Sequence, residues 1–226
     1  MNAGVAEVAL DVTLRSPAPE WLARLPLASQ LAALRQTRLR GIAVTFSPYE
    51  RHQGEQLRAL RNQPHNKLNL AQDSDITAEQ QRAWEDGYFS RPNDLCWILR
   101  STADEFAGAV SLYDIDATAA ETGRLVIREE VARSSPIIAE CELMVQWLAF
   151  SWLGLPRIVA RIQPANAKMI AMHQRLGFRP AGTSSIRGVP YRQFEIPAAH
   201  FHPEPHLRVL HHWKNRPPAG ARTTVP

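Results

Sequence analysis

The sequence predicts an α+β domain in which helices flank a mostly antiparallel sheet. Three observations carry that reading. Strand-like runs follow one another in LCWILRS, FAGAVSLYDID and GRLVIREE, and the polar turn TADE joins the first two, as an antiparallel meander requires. The stretch PIIAECELMVQWLAFSWLGL is apolar almost all round, with Glu140, Glu142 and Gln146 as its few polar members. A helix of that composition is buried on most sides. RIVARIQ, a strand by its alternation, then leads into the helical NAKMIAMHQRLGF. Strand, buried helix and strand make one crossover unit with two parallel strands, and a break between those strands opens a cleft.

The remaining elements follow in chain order. Residues 1–40 are rich in Ala, Leu and Arg and carry one amphipathic piece interrupted by Pro26, so they read as an extension with a short helix. GIAVTF is a β-branched strand, and EQLRALRNQ is the helix after it. TAEQQRAWEDGYF starts at Thr77, an N-cap with Gln80 as its capping-box partner, and sets Trp84, Tyr88 and Phe89 on one side. Ser135 and Pro136 open the buried helix as N-cap and N1, and Gly154 with Pro156 closes it. GFRPAGTSSIRGVPYRQFEI is a final pair of strands around a glycine turn. From Pro197 the chain is a His/Pro-rich basic tail, so three segments are expected: 1–40, a central domain at 41–196, and 197–226.

Composition narrows the function. With 45% hydrophobic and 21% charged residues in 226, the chain reads as a soluble globular protein. No apolar run approaches the ~18 to 20 residues of a membrane span, and the N-terminus lacks a secretory pattern, so a cytoplasmic location is expected. A net charge of +4 suits anionic partners. The basic residues form no dense run with interleaved aromatics, which weighs against nucleic acid. Cys96 and Cys141 have no metal or redox spacing, and HFHPEPH lacks familiar ligand spacing, so no metal is expected. Homodimerisation stays open.

The segment Leu153 to Gly182, LGLPRIVARIQPANAKMIAMHQRLGFRPAG, resembles the GNAT superfamily of acetyl-CoA-dependent N-acetyltransferases. The carrying positions are Asn166 opening a helix, His173 where the family often has tyrosine, and the terminal Gly177-Phe178. The likeness extends more weakly over 42–196 and is closest to the branch of ribosomal-protein N-terminal and sugar-nucleotide amine acetyltransferases. It implies a mostly antiparallel mixed sheet with a cofactor cleft between two splayed parallel strands, and acetyl transfer from acetyl-CoA to a primary amine. The acceptor it favours is a small nucleotide-linked amino sugar. A peptide N-terminus and a catalytically degenerate binding module are the alternatives.

The resemblance also implies roles. Main chain at Leu125, Val126 and Ile127 would meet the cofactor and polarise the acetyl carbonyl. The family's pyrophosphate loop, Arg or Gln, two residues, Gly, one residue, Gly or Ala, falls on Arg133, Ser134, Ser135, Pro136, Ile137 and Ile138. Pro136 removes an amide and Ile138 limits approach, so Arg133 charge, the Ser134 and Ser135 hydroxyls and the Ile137 region are left to hold phosphate. Asn166 and Phe178 complete the cofactor set. Arg61, Asn62, Trp84, Tyr88 and Arg91 are placed beside the acceptor, and Arg61, Asn62, His65 and Arg91 could form a polar acceptor pocket, with arginines suited to a diphosphate.

Transfer to an amine needs a base for the ammonium proton and a way to neutralise the leaving thiolate. Glu142 and Glu121 are the candidate bases, beside Asp114 and Asp116 at a strand end. Glu142 stands out because a carboxylate on an apolar helix is costly unless paired or functional. His173 is the candidate acid, an imidazole being suited to proton exchange near neutrality. On the residues alone, each of these also reads as a surface charge or a structural ion pair.

Overall fold

The computed structural model describes residues 6–9, 18–70, 72, 74–186 and 188–215. Their strands are β1 (Ala6–Ala9), β2 (Thr37–Arg40), β3 (Val44–Pro48), β4 (Leu95–Ser101), β5 (Phe106–Tyr113), β6 (Ala120–Ile127), β7 (Arg157–Ile162), β8 (Arg179–Ile186) and β9 (Val189–Pro197). Their α-helices are α1 (Glu20–Ala23), α2 (Leu27–Leu34), α3 (Gly54–Arg61), α4 (Pro64–Lys67), α5 (Ala78–Ser90), α6 (Glu129–Ser134), α7 (Ile137–Trp147), α8 (Ala167–Arg175) and α9 (Glu204–Lys214). The strands form one sheet in the order β1-β2-β3-β4-β5-β6-β7-β9-β8. Two neighbouring pairs, β1 with β2 and β6 with β7, are parallel, and the others are antiparallel.

Alternation along β4 explains its unbroken apolar run. Leu95, Trp97 and Leu99 belong to the large core around α7, whereas Cys96 and Ile98 belong to a second cluster with Leu57, Leu60, Tyr49 and Tyr88. Successive side chains of a strand point to opposite faces, so a strand covered on both is hydrophobic throughout. Helix α7 is buried along its length, with Ile137, Cys141, Met144, Leu148 and Trp147 in that core. The helix runs on through a π turn at Leu148–Trp152 and stops at Gly154, φ 65°.

Several expectations change here. Residues 18–40 are not an appendage to the core: β2 pairs with β3, and Leu22, Leu31, Leu34 and Leu39 pack in the large core. The chain after Pro197 likewise forms α9, whose Leu207 and Leu210 are buried in the same core. Packing therefore crosses both expected segment boundaries. The expected N-terminal features at 1–5 and 10–17 and the end of the tail at 216–226 lie outside the described residues. The strand expected to run through GRLVIREE ends at Ile127 and gives way to α6. Glu129 and Glu130 sit in the first turn of α6 and Arg133 in its last, the arrangement the helix dipole favours, and Glu129 pairs with Arg133 four residues on.

The final two strands form a hairpin, but β9 inserts between β7 and β8. Phe194 and Ile196 of β9 are fully buried, while RPAGTS of β8 is mostly exposed and carries Pro180 and Gly182. Proline and glycine belong on an edge strand, and that chemistry sends β8 outward.

Candidate active site

Strands β6 and β7 pair only where Ala120, Glu121 and Thr122 meet Ile158, Val159 and Ala160. Beyond that point β6 continues to Ile127 and β7 to Ile162, and the two strands diverge. A bulge turns β6 away. Its register against β5 shifts between Ala109 and Ser111, and Arg124 adopts φ 52°. One extra residue in a strand bends it and breaks its ladder, and holding a non-glycine residue in the left-handed region costs on the order of 1 kcal/mol or more.

The divergence opens a cavity of about 280 Å³ between β6, β7, α7, α8 and the α4 segment. Leu125 and Ile127 line it from β6, Ile138 and Glu142 from α7, and Asn166 and His173 from α8. On the far wall, His65 Nε2 lies 2.9 Å from the Ile127 carbonyl, and Asn66 Nδ2 donates to the Leu60 carbonyl at 3.0 Å. The His65 contact, with Asn66 Nδ2 also donating to the Ile127 carbonyl at 3.4 Å, holds α4 against the end of the diverging strand.

Helix α8 is positioned at both ends. The Asn166 side chain accepts from the Met169 amide at 3.2 Å, a true N-cap. Gly177 leaves the helix at φ 97°, with the Phe178 amide donating to the His173 carbonyl. Asn166→Ala is expected to cost about 1 kcal/mol of stability, read by urea denaturation. A loss below about 0.3 kcal/mol would mean the cap contributes nothing.

His173 does not face water. It is 3% exposed, packs edge-on against Phe178 at 4.6 Å, and has Nε2 3.5 Å from Glu142 Oε2. Glu142 is 2% exposed. Burial pushes its carboxyl above the ordinary range, and the facing imidazole draws it part of the way back. The sequence pairs Glu142 with no particular residue; the fold pairs it with the other catalytic candidate.

The other expected residues are distributed differently. Glu121 is buried beside the cleft rather than in it: Tyr113 donates to it, and Arg161 pairs with its other oxygen at 2.6 Å. Val126 points into the second apolar cluster. The Ser134 hydroxyl donates to the Glu130 carbonyl at 2.8 Å, the Ser135 hydroxyl to Val131 at 3.0 Å, and Arg133 pairs with Glu129. None of the three side chains turns toward the cavity, because each satisfies the preceding helix. Asp116 accepts from the Thr118 and Ala119 amides as a turn cap.

Five of the acceptor candidates also lie outside the cavity lining. Asn62 accepts from the Ile76 amide at 2.8 Å and donates to its carbonyl at 3.0 Å, pinning the loop before α5. Trp84 stacks on Tyr88 at 5.6 Å with Arg61 over its face, and Arg91 pairs with Asp94. His65, an acceptor candidate in the sequence, does line the cavity, together with Arg124, Arg161, Lys168 and Asn66, none of which the sequence singled out. Arg161 had a legible signal, a charged residue in an alternating strand just before Asn166. Arg124 had none, since its place depends on the bulge.

A family model described as an acetyltransferase (GNAT) domain matches residues 44–179, more than half of the chain. The chain belongs to the GNAT family of acetyltransferases. No curated protein matches it. Among solved structures it resembles a GCN5-related N-acetyltransferase from Brucella melitensis, at 19% identity and TM-score 0.63 over 78% of this chain and 85% of that one. FdhC, a nucleotide-linked sugar GNAT, gives 20% identity and TM-score 0.64 over 76% and 98%. Spermidine N-acetyltransferase from Vibrio cholerae, in complex with CoA and spermine, gives 15% and 0.61 over 70% and 97%.

This GNAT acetyltransferase has an α+β mixed sheet with the splayed parallel pair the resemblance implied. The family uses acetyl-CoA, and the cavity fits the thioester end of that molecule. It combines unpaired strand edges with a buried carboxyl oxygen, Glu142 Oε2, and a buried hydroxyl, Thr122 Oγ1, that lack hydrogen-bond partners. At the phosphate end the serine hydroxyls are already committed, which leaves the first-turn amides of α7 after Pro136, at Ile137, Ile138 and Ala139. Among the described residues no group of three or more His, Cys, Asp or Glu could hold a metal, and no helix is long and apolar enough to cross a membrane.

Proposed function

We propose that this GNAT acetyltransferase carries an acetyl group from acetyl-CoA to the primary amine of a small anionic acceptor, with a nucleotide-linked amino sugar as the best fit. The observation that supports the acceptor class is the charge around the cavity. Arg124, Arg161 and Lys168 line it against a single carboxyl group, Glu142, which faces His173. Asp94 and Glu121 stand behind the two arginines and fix their direction, and Lys168 has no carboxylate at ion-pair distance among the described residues. Guanidinium groups held in this way suit phosphate or carboxylate oxygens. A polyamine would bring further positive charge to a lining that already holds Arg124, Arg161 and Lys168.

When bound, acetyl-CoA supplies a thioester whose acetyl carbon accepts the amine and whose sulfur leaves. The chain holds that end between β6 and β7, with Asn166 at the start of α8 and the α7 amides toward the phosphates. A cytoplasmic location, where acetyl-CoA is made and used, completes the reading.

Thermal unfolding with acetyl-CoA tests the donor. At a hundredfold excess over Kd the folded state gains about 2.7 kcal/mol, and no shift at millimolar acetyl-CoA would sink the transferase reading. Thiol release with a nucleotide-linked amino sugar, a phosphorylated amino sugar and spermidine tests the acceptor. Faster turnover with spermidine than with either anionic amine would reject the anionic class.

A further inference from the structure

Alternation assigns the side chains of the splayed strands to the two faces of the sheet. Ala120 of β6 and Ile158, Ala160 and Ile162 of β7 pack in the large core with α7. Glu121 and Arg161 therefore point to the opposite face, where the register sets Tyr113 of β5 directly beside Glu121. Past the bulge the alternation is reversed, since Val126 packs in the second cluster and Ile127 in the large core. The extra residue thus brings Arg124 to the same face as Arg161.

Tyr113 connects these two arginines. Its ring lies 3.8 Å from the Arg124 guanidinium, and its hydroxyl donates to Glu121, which holds Arg161 Nη2 at 2.6 Å. Gly123 leaves room for that hydroxyl, because a Cβ there would sit 3.1 Å from it. Burial, and then the Glu121 charge, push the phenol well above its ordinary value, so it stays a donor. Asp94 binds Arg124 through Nη1 and Glu121 binds Arg161 through Nη2, one nitrogen of each five-donor fork. Both arginine side chains keep some exposure, 27% and 35%, and both line the cavity.

We propose that Tyr113 is a positioning residue that joins Arg124 and Arg161 into one clamp, and that this clamp holds the acceptor's phosphate oxygens on the face of the sheet away from α7. The inference rests on the anionic-acceptor reading. Ile170 of α8 packs in the large core with α7, whereas Leu70, just after α4, packs in the second cluster. An acceptor lying between the clamp and α4 keeps its phosphates on that side and points its amine through the splay toward α7. Guanidinium forks match phosphate oxygens in such a place. Tyr113 does not line the cavity and acts through Glu121. Without the hydroxyl, the buried Glu121 oxygen takes a second bond from Arg161 and draws that guanidinium off the cavity.

Tyr113→Phe keeps the ring beside Arg124 and removes only the hydroxyl. It is expected to raise KM for a nucleotide-linked amino sugar roughly tenfold, the worth of a hydrogen bond to a charged group, while kcat and KM for acetyl-CoA change far less. Arg161→Gln, at a partly exposed side chain, is expected to raise the same KM at least as much. The double variant is expected to go no further than Arg161→Gln alone, because Tyr113 acts through Arg161. Rises that multiply, or an unchanged KM in either single variant, would overturn the proposal; lost stability with KM unchanged would leave Tyr113 a structural role only. Inorganic pyrophosphate, titrated by calorimetry into protein saturated with CoA, reads the clamp without turnover, and the bound CoA keeps it off the first-turn amides of α7. Wild type is expected to bind it about tenfold more tightly than Tyr113→Phe or Arg161→Gln. Equal affinities, or no binding by wild type, would overturn the clamp. Faster turnover with spermidine would sink the anionic-acceptor reading, and the pyrophosphate titration would still decide whether the clamp exists.

Discussion

Asp94→Ala is expected to destabilise the protein by about 2 to 3 kcal/mol, the cost of leaving a mostly buried guanidinium without its partner. Asp94 is 1% exposed. Its carboxylate oxygens accept from Arg124 at 2.8 and 2.9 Å and from Arg91 at 3.1 Å. Arg91 is nearly half exposed and can turn to water, so it contributes little. Arg124 cannot. Its backbone is in the left-handed region at the bulge, and its guanidinium lies 3.8 Å from the centre of the Tyr113 ring. Without Asp94 the bulge loses the ion pair that makes φ 52° tolerable, and the cavity loses a fixed guanidinium. The same variant is therefore expected to raise KM for an anionic acceptor more than for acetyl-CoA. Chemical denaturation measures the first effect and steady-state kinetics the second. A stability loss under about 1 kcal/mol would show that Arg124 finds another partner.

The second large effect is expected at Glu140. This carboxylate is 3% exposed and accepts from the amides of Ile42 and Ala43, the latter at 2.7 Å, so it clasps the turn between β2 and β3. Gly41 is required beside it, because a Cβ there would sit 2.2 Å from Glu140 Oε1. Glu140→Ala leaves those amides without an acceptor, at about 1 to 3 kcal/mol each. Burial also pushes the carboxyl up to about 7, against the pull of the three amides at Ile42, Ala43 and Val44. The folded protein then binds more protons than the unfolded chain between the ordinary carboxyl value and about 7. The stability this group adds is complete below the ordinary value and is lost as pH rises toward about 7, a swing on the order of 3 kcal/mol. Glu140→Gln cannot titrate. The difference in unfolding free energy between it and wild type is expected to track pH across that window and to level off above it. A difference independent of pH would refute the assignment.

Much of the fold was legible because it is written in local chemistry. The TADE turn, the Thr77 capping box and the Asn166 cap are each decided within a few residues, and each appears as read. Other expected site residues bond within the protein in ways the sequence did not announce. Arg133, Ser134 and Ser135 looked available for phosphate until α6 formed and its own carbonyls and Glu129 took them. Asn62 and Arg91 looked like substrate groups, but they bond to Ile76 and Asp94.

By itself the sequence determined the succession of strands from β3 onward, the buried helix and the capped helix from Asn166 to Gly177, since periodicity, caps and turns act over one or two turns of chain. Only the tertiary structure decided that Glu142 faces His173 and that Arg124 and Arg161 flank the cleft. The first depends on how α7 and α8 meet across an intervening strand, and the second on a single bulged residue in β6. Neither leaves a local pattern, because contacts between distant elements are set by packing and register rather than by spacing along the chain.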